Sequence, residues 1–200
     1  MRTRLIALGE WFFRQRSWTP IPFMVVLVAC RINESPDQFT WLPGLFLIVL
    51  GEGLRLWSVA VIGKESRTRG QGVTRLVTEG PYAYVRNPLY LGNLLLTIGI
   101  TCVPRLLWMV PIVIALYLLQ YVTIVLWEES ILAQRFGTRY AAYCQQVPRW
   151  VPAWGHQLRY DTQVAYQWRA SFWSERSTLG TIGLLLLSMV AKEHLHHLLS

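Results

Sequence analysis

Three groups of residues in this chain have side chains and spacing suited to chemistry. The first lies between Thr74 and Gly92, where Gly80-Pro81 fits a turn and Asn87-Pro88 fits a helix start, Asn as the cap and Pro at the first helical position. A helix beginning there would aim unsatisfied backbone N–H groups, together with Arg86, at whatever lies beside it, which favours an anion such as a carboxylate. Tyr82, Tyr84 and Tyr90 would give aromatic walls to a planar base; the plainer alternative is an interfacial Tyr/Arg belt. The second group is Glu128-Glu129, directly after an apolar run that ends at Trp127. Two acids at the end of a helix oppose its dipole, so something other than capping must gain from them: a cationic ligand, a pairing with Arg135, or plain solvation. Val147 to Pro152 then reads as an extended return across the site, with Pro148 and Pro152 stopping the helix. The third group is Glu52 and Arg55, three apart on one helical face inside an apolar run. Charge in hydrocarbon is costly unless paired or hydrated, so this pair would line a substrate tunnel or fix helix packing.

Hydropathy defines the elements that must position these groups. Only 15% of the 200 residues are charged, against roughly 25% in soluble globular proteins, while 53% are hydrophobic, ten are Trp and the mean hydropathy is +0.32. Neither a soluble globule nor a disordered chain accounts for that composition; an all-α, multi-pass membrane protein does. Spanning a bilayer takes about 20 apolar residues. Trp41 to Ile62 and Leu106 to Trp127 qualify outright, while Pro20 to Ile32, Leu89 to Val103 and Leu179 to Ala191 span only with their flanks included. Leu5 to Phe13 is amphipathic and reads as an interfacial helix.

Five crossings with a cytoplasmic N-terminus leave all but Arg31, Arg55, Arg105 and Lys192 of the 19 Lys and Arg on the cytoplasmic side, as the positive-inside rule requires. The formal net charge of +8 is therefore topological, and no basic helix, RNA-binding strand or finger spacing supports a nucleic-acid partner. Cys30, Cys102 and Cys144 are odd in number and scattered, which gives no disulfide framework. His194, His196 and His197 have no carboxylate or Cys at ligand spacing, so no metal site is expected.

Taken together, Leu76 to Gly92, the apolar hairpin that follows, Glu128-Glu129, Phe136-Gly137, Tyr140, Tyr143 and Val147-Pro148-Arg149 resemble the isoprenylcysteine carboxyl methyltransferase family. Related phospholipid methyltransferases share the Arg-x-Pro-x-Tyr and Glu-Glu elements. The resemblance covers roughly residues 52 to 152 and rests on several elements in the same order and spacing. It implies S-adenosylmethionine as methyl donor, held at the cytosolic membrane face without a Rossmann domain; the Gly51-x-Gly53 pair lies within a crossing and is no nucleotide fingerprint. Carried over position by position, the cofactor contacts fall on Thr74, Arg75, Leu76, Val77, Tyr82, Asn87, Pro88, Leu89, Tyr90 and Glu128. Two positions depart. The family usually has His where this chain has Asn87, which does not titrate, and the eukaryotic prenylcysteine enzymes carry an Arg where this chain has Ile124, which points away from a prenylcysteine acceptor.

The expected activity is methyl transfer to a lipophilic acceptor from the bilayer, a carboxylate, thiol or lipid headgroup, with Glu129 as candidate base and Arg149 or Arg55 as candidate anion contacts. Residues 1–50 would form the interfacial helix and first crossing, 51–152 the methyltransferase core, and 153–200 an amphipathic segment and last membrane helix. The expected location is a bacterial inner membrane or an endoplasmic-reticulum-type membrane, with the site facing the cytoplasm. The alternatives are a sterol-type reductase using NADPH, or a small membrane scaffold or transporter whose charged blocks are solvated loops.

Overall fold

A computed structural model of the chain describes residues 2–16, 18–29, 41–63, 74–153 and 166–199. Cys30, Arg31, Lys64, Arg67, Arg69, Arg159 and the end of the first expected crossing lie outside the described residues, as do the side chains of the three C-terminal histidines. The described residues form six α-helices and no strand: α1 (Arg2–Gln15), α2 (Pro20–Ala29), α3 (Leu42–Ile62), α4 (Pro88–Cys102), α5 (Val110–Gln146) and α6 (Trp168–Leu199). Short 3₁₀ turns occupy Gly80–Ala83 and Leu107–Met109. Proline in the first turn opens α3, α4 and α5, where its missing N–H costs nothing.

Two helical stretches, Leu42–Ile62 and Leu107–Gln146, are long and apolar enough to cross a membrane. Their outward residues support that use: Phe46 and Val49 on α3 and Leu116 and Leu119 on α5 are largely exposed, as are Leu184 and Leu187 on α6. An apolar surface of this extent is suited to lipid rather than water.

Glycine sets the closest packing. On the antiparallel pair α3/α4, Gly44 faces Gly99 and Gly51 faces Gly92, and a Cβ on any of the four would lie 2.6 to 2.8 Å from the opposing carbonyl oxygen. Small residues spaced by seven let the two backbones touch, a packing mode common where no hydrophobic force drives helices together. The same device joins α1 to α5, where a Cβ on Gly9 would stand 2.0 Å from the Thr123 carbonyl oxygen. A core of Leu27, Ile48, Leu96, Ile100, Met109, Val113, Ile182 and Leu185 ties α2 through α6 together.

Two expectations need correction. The helix of the fourth expected crossing does not end at Glu128-Glu129; α5 continues to Gln146, so both acids are mid-helix. Residues 128–146 contain no proline and many good helix formers, so nothing stops the helix until Pro148. Its one break is Gly137, at φ 49 and ψ −121, where only glycine is unstrained. The last helix likewise starts at Trp168, well before Leu179, and carries Ser171, Glu175 and Thr178 into the protein at heptad-related positions with Ile182, Leu185 and Met189.

Candidate functional site

The run between Thr74 and Gly92 is fastened to the helices around it. Arg75 donates to the Val61 carbonyl at 2.7 Å, closing the end of α3. Tyr143 donates to the Tyr82 carbonyl at 2.7 Å and Tyr117 to the Tyr90 carbonyl at 2.5 Å, so α5 grips the run at two points. The chain leaving α5 returns across it as expected: the Arg86 N–H donates to the Pro148 carbonyl at 2.9 Å and the Ala153 N–H to the Tyr84 carbonyl at 3.0 Å. Asn87 occupies the cap position of α4, but its side chain makes no cap bond; its amide donates instead to the Arg149 carbonyl at 3.1 Å.

These fastenings bring the sequence blocks around one cavity of about 830 Å³. Of the ten expected cofactor positions, Arg75, Leu76, Val77, Tyr82, Asn87, Leu89, Tyr90 and Glu128 line it. Thr74 and Pro88 do not; Pro88 is fully buried in the first turn of α4. The Glu128 carboxylate meets the Tyr90 hydroxyl, and the Arg16 guanidinium acts on it electrostatically. Arg16 sits over the Phe13 ring, 3.9 Å from its centroid, and lines the same cavity. Tyr90 and Tyr121 have ring centroids 5.1 Å apart, and Tyr121 stacks on Tyr117 at 4.0 Å, which makes a wall of three phenols. Burial, reinforced by the Glu128 charge, pushes the Tyr82 hydroxyl above the usual phenol range, so it stays protonated.

Glu129 also lines the cavity but is already engaged. Arg149 grips it with two bonds, Nε to Oε1 at 2.9 Å and Nη2 to Oε2 at 2.6 Å, and Arg86 Nη1 stands 3.1 Å from Oε1. This fork-to-carboxylate geometry is the strong form of ion pair, and it holds the Arg149 guanidinium further into its charged form. Arg149 itself does not line the cavity. Glu129 and Arg149 are thus placed as a clasp between α5 and the returning chain.

Arg55 also lines the cavity. Its Nη1 donates to Asn93 Oδ1 and its Nη2 to Glu175 Oε2, with Thr178 Oγ1 at 3.5 Å, while Nε faces Glu52 Oε2 at 3.3 Å as an ion pair without hydrogen-bond alignment. The lining contributed by α4 and α6 is mixed, with the hydroxyls of Thr97, Ser177, Thr178 and Thr181 beside the apolar Ile100, Ile182 and Leu185. Ile124 is fully buried against Phe13, Tyr90 and Val125 and offers no charge at all. The sequence reading did not find Arg16, Asn93 or Glu175. The only signal for Glu175 is the heptad it shares with Ile182 and Met189, which becomes visible once α6 is known to begin at Trp168.

A family model described as phospholipid methyltransferase matches residues 39–139, half of the chain. The chain belongs to the phospholipid methyltransferase family. Its matched residues run from α3 into α5 and include most of the cavity wall; Arg16, Arg149 and Glu175 come from outside that span of the family. Among curated proteins the chain is 32% identical over 124 residues to "Protein-S-isoprenylcysteine O-methyltransferase B" of Arabidopsis thaliana, covering 58% of this chain and 61% of that one. It is 31% identical over 134 residues to "Cobalt-zinc-cadmium resistance protein CzcN" of Cupriavidus metallidurans, covering 64% and 58%. With "Nickel-cobalt-cadmium resistance protein NccN" of Alcaligenes xylosoxydans xylosoxydans it shares 27% over 128 residues, covering 64% and 60%. The chain thus matches about three-fifths of the length of these relatives. Among the described residues of this phospholipid methyltransferase family member, no group of His, Cys, Asp and Glu could hold a metal ion.

Proposed function

We propose that the chain is an integral membrane methyltransferase that transfers a methyl group from S-adenosylmethionine to a lipophilic acceptor. The observation that carries this reading is that both sequence blocks converge on one cavity, whose lining includes Glu128, Tyr82, Tyr90 and Tyr121 together with apolar α4 and α6 side chains. Its volume of about 830 Å³ is ample for a small molecule and part of an acceptor.

The donor set fits the cofactor. The molecule carries a planar base, a carboxylate, an ammonium and a sulfonium. Tyr82, Tyr90 and Tyr121 offer ring faces to the base and, by their quadrupoles, to a cation. Glu128 offers a carboxyl group that an arriving ammonium would hold in its charged form, and Arg16 and the N-terminus of α4 favour the carboxylate. When bound, the cofactor supplies an electrophilic methyl group on a positively charged sulfur. The chain's own part is to orient and to exclude water. The tyrosine wall and Leu89 shield the cavity, while the Glu129–Arg149–Arg86 clasp holds the returning chain over it. Because Glu129 already serves two guanidinium groups, its role in this reading is positioning and not proton abstraction.

The same reading places the chain in a bacterial inner membrane or an endoplasmic-reticulum-type membrane, with five crossings, the N-terminus and the cavity mouth at the cytosolic face. The distribution of Arg and Lys supports it. Two measurements test the function. Calorimetry on the full chain in nanodiscs should give saturable S-adenosylmethionine binding, with NADPH showing none; no binding of intact cofactor to folded protein removes the proposal. Membranes containing the chain, incubated with methyl-labelled cofactor, should yield a labelled lipid-soluble product identifiable by mass spectrometry.

A further inference from the structure

We propose that the outer face of α6 holds an anionic phospholipid, its phosphate taken by Arg169 and Arg176 and an acyl chain laid along a furrow at Gly180 and Gly183. This lipid is a bound neighbour and not a methyl acceptor, since neither arginine lines the cavity. The inference rests on the membrane part of the proposed reading and is independent of methyl transfer.

Residues seven apart on an α-helix return to the same face. On α6 that sets Arg169, Arg176 and Gly183 in one stripe with Trp173 and Gly180 beside it, opposite the stripe of Ser171, Glu175 and Ile182 that is buried in the protein. Arg169, Trp173, Arg176 and Gly180 are all exposed. Helical side chains lean toward the N-terminus, and Arg176 does so: its Cζ stands over the Trp173 ring, 4.7 Å from the centroid. That draws its charge back towards Arg169. The ring steadies a guanidinium whose fork of N–H donors suits a phosphate. Among the described residues neither Arg169 nor Arg176 has a carboxylate partner, whereas Arg14, Arg55, Arg86 and Arg149 are each paired.

The depth is that of a head group. The Gln167 N–H donates to the Ala60 carbonyl at 2.9 Å and Ser171 Oγ to the Leu56 carbonyl at 2.7 Å, so the first turns of α6 lie beside the last turns of α3, which ends at Ile62. Beyond the arginines the face turns apolar. Leu184 and Leu187 are exposed, and a Cβ on Gly180 or Gly183 would meet no atom within 4 Å, which leaves a shallow furrow suited to a hydrocarbon chain. Two cations without carboxylates at the edge of a low-dielectric region favour a net negative head group over a zwitterion, whose own cation they repel. A second copy of the chain fits less well. Copies sharing one membrane orientation pair about an axis along the membrane normal, so the stripe would meet itself at equal depth and set each arginine against its counterpart.

Native mass spectrometry of the full chain in dodecyl maltoside, titrated with dioleoylphosphatidylglycerol or dioleoylphosphatidylcholine, tests the site. The wild type should hold one phosphatidylglycerol at least about tenfold more tightly than phosphatidylcholine, as a charge-assisted contact implies, and Arg169→Gln/Arg176→Gln should bring that ratio below about threefold. Arg4→Gln/Arg139→Gln removes the same charge from exposed positions on α1 and α5 and should keep the preference. Gly180→Leu/Gly183→Leu fills the furrow and should weaken phosphatidylglycerol binding with both arginines intact. Equal binding of the two lipids by the wild type overturns the proposal even if the variants fold poorly. So does a preference kept by folded Arg169→Gln/Arg176→Gln or lost in Arg4→Gln/Arg139→Gln, or undiminished binding in the folded glycine variant. Full competition by water-soluble glycerophosphoglycerol would assign the arginines to a soluble anion, and a lipid-free dimer that the glycine variant breaks apart would assign the face to a second copy; either result also overturns it.

Discussion

Glu128 and Glu129 are neighbours with different surroundings, and the difference assigns them different work. Glu128 meets the Tyr90 hydroxyl at the cavity wall, and Glu129 is clasped by Arg149 and Arg86. Replacing Glu128 by Gln keeps its shape but removes the charge; on the proposed reading, cofactor affinity should fall at least tenfold, as a charge-assisted bond of about 1.5 to 3 kcal/mol implies, with little change in melting temperature. Calorimetry and a thermal melt on one preparation check both halves. Glu129→Gln should do the reverse, since it loosens the clasp. Faster amide exchange over Val147 to Ala153 and a lower melting temperature are expected, with activity falling through the loss of order. Adjacency made this pair easy to notice and hard to interpret: two acids at an apparent helix end left a cationic ligand, a pairing with Arg135 and plain solvation open, whereas the partners of Glu129 arrive from Arg86 and Arg149, on other segments. Asn87 was similarly half legible. Its place at the start of α4 followed from Asn-Pro, but its amide bonds to the Arg149 carbonyl, which no local rule could indicate.

Among the elements, the α3/α4 pair yields the sharpest contrast. Gly51 and Gly53 are two residues apart on one helix; the first meets α4 backbone within 3 Å and the second has open space around it. Gly53→Ala should therefore be tolerated and add up to about 1 kcal/mol from helix propensity. Gly51→Leu should force the helices apart at a cost of about 1 to 3 kcal/mol or more, seen as lost folded yield and a lower melting temperature. Equal behaviour of the two variants would contradict the packing. Helix starts at proline were readable from sequence because proline's fixed φ and missing N–H act locally. Helix ends were readable only where proline marks them, as at Pro148 after α5. The end of the apolar run suggested a helix end at Glu128-Glu129, but helix formers carry α5 past both acids to its break at Gly137 and on to Gln146. Gly137→Ala meets no atoms within 4 Å, so any destabilisation it brings, about 1 kcal/mol or more, is backbone strain at φ 49.

On the scale of the molecule, composition located the class and the charges suggested the orientation. An epitope ahead of α1 should be shielded in sealed cells, while one inserted at Pro104-Arg105 should be reachable from outside; the opposite pattern would invert the proposed topology. The six helices among the described residues agree with the all-α expectation, but the partnership of α6 with Arg55 joins residues 120 apart in sequence, and pairing at such a distance leaves no local trace. The glycine seam has one more effect. Where α3 and α4 touch through bare backbone, no acyl chain can slip between them. On the proposed reading, an acceptor coming from the bilayer would then reach the cavity by another side than the α3/α4 seam. A compound arriving from the lipid phase would have a potency that scales with its mole fraction in the membrane, and diluting the assay with empty vesicles would weaken it even at constant aqueous dose.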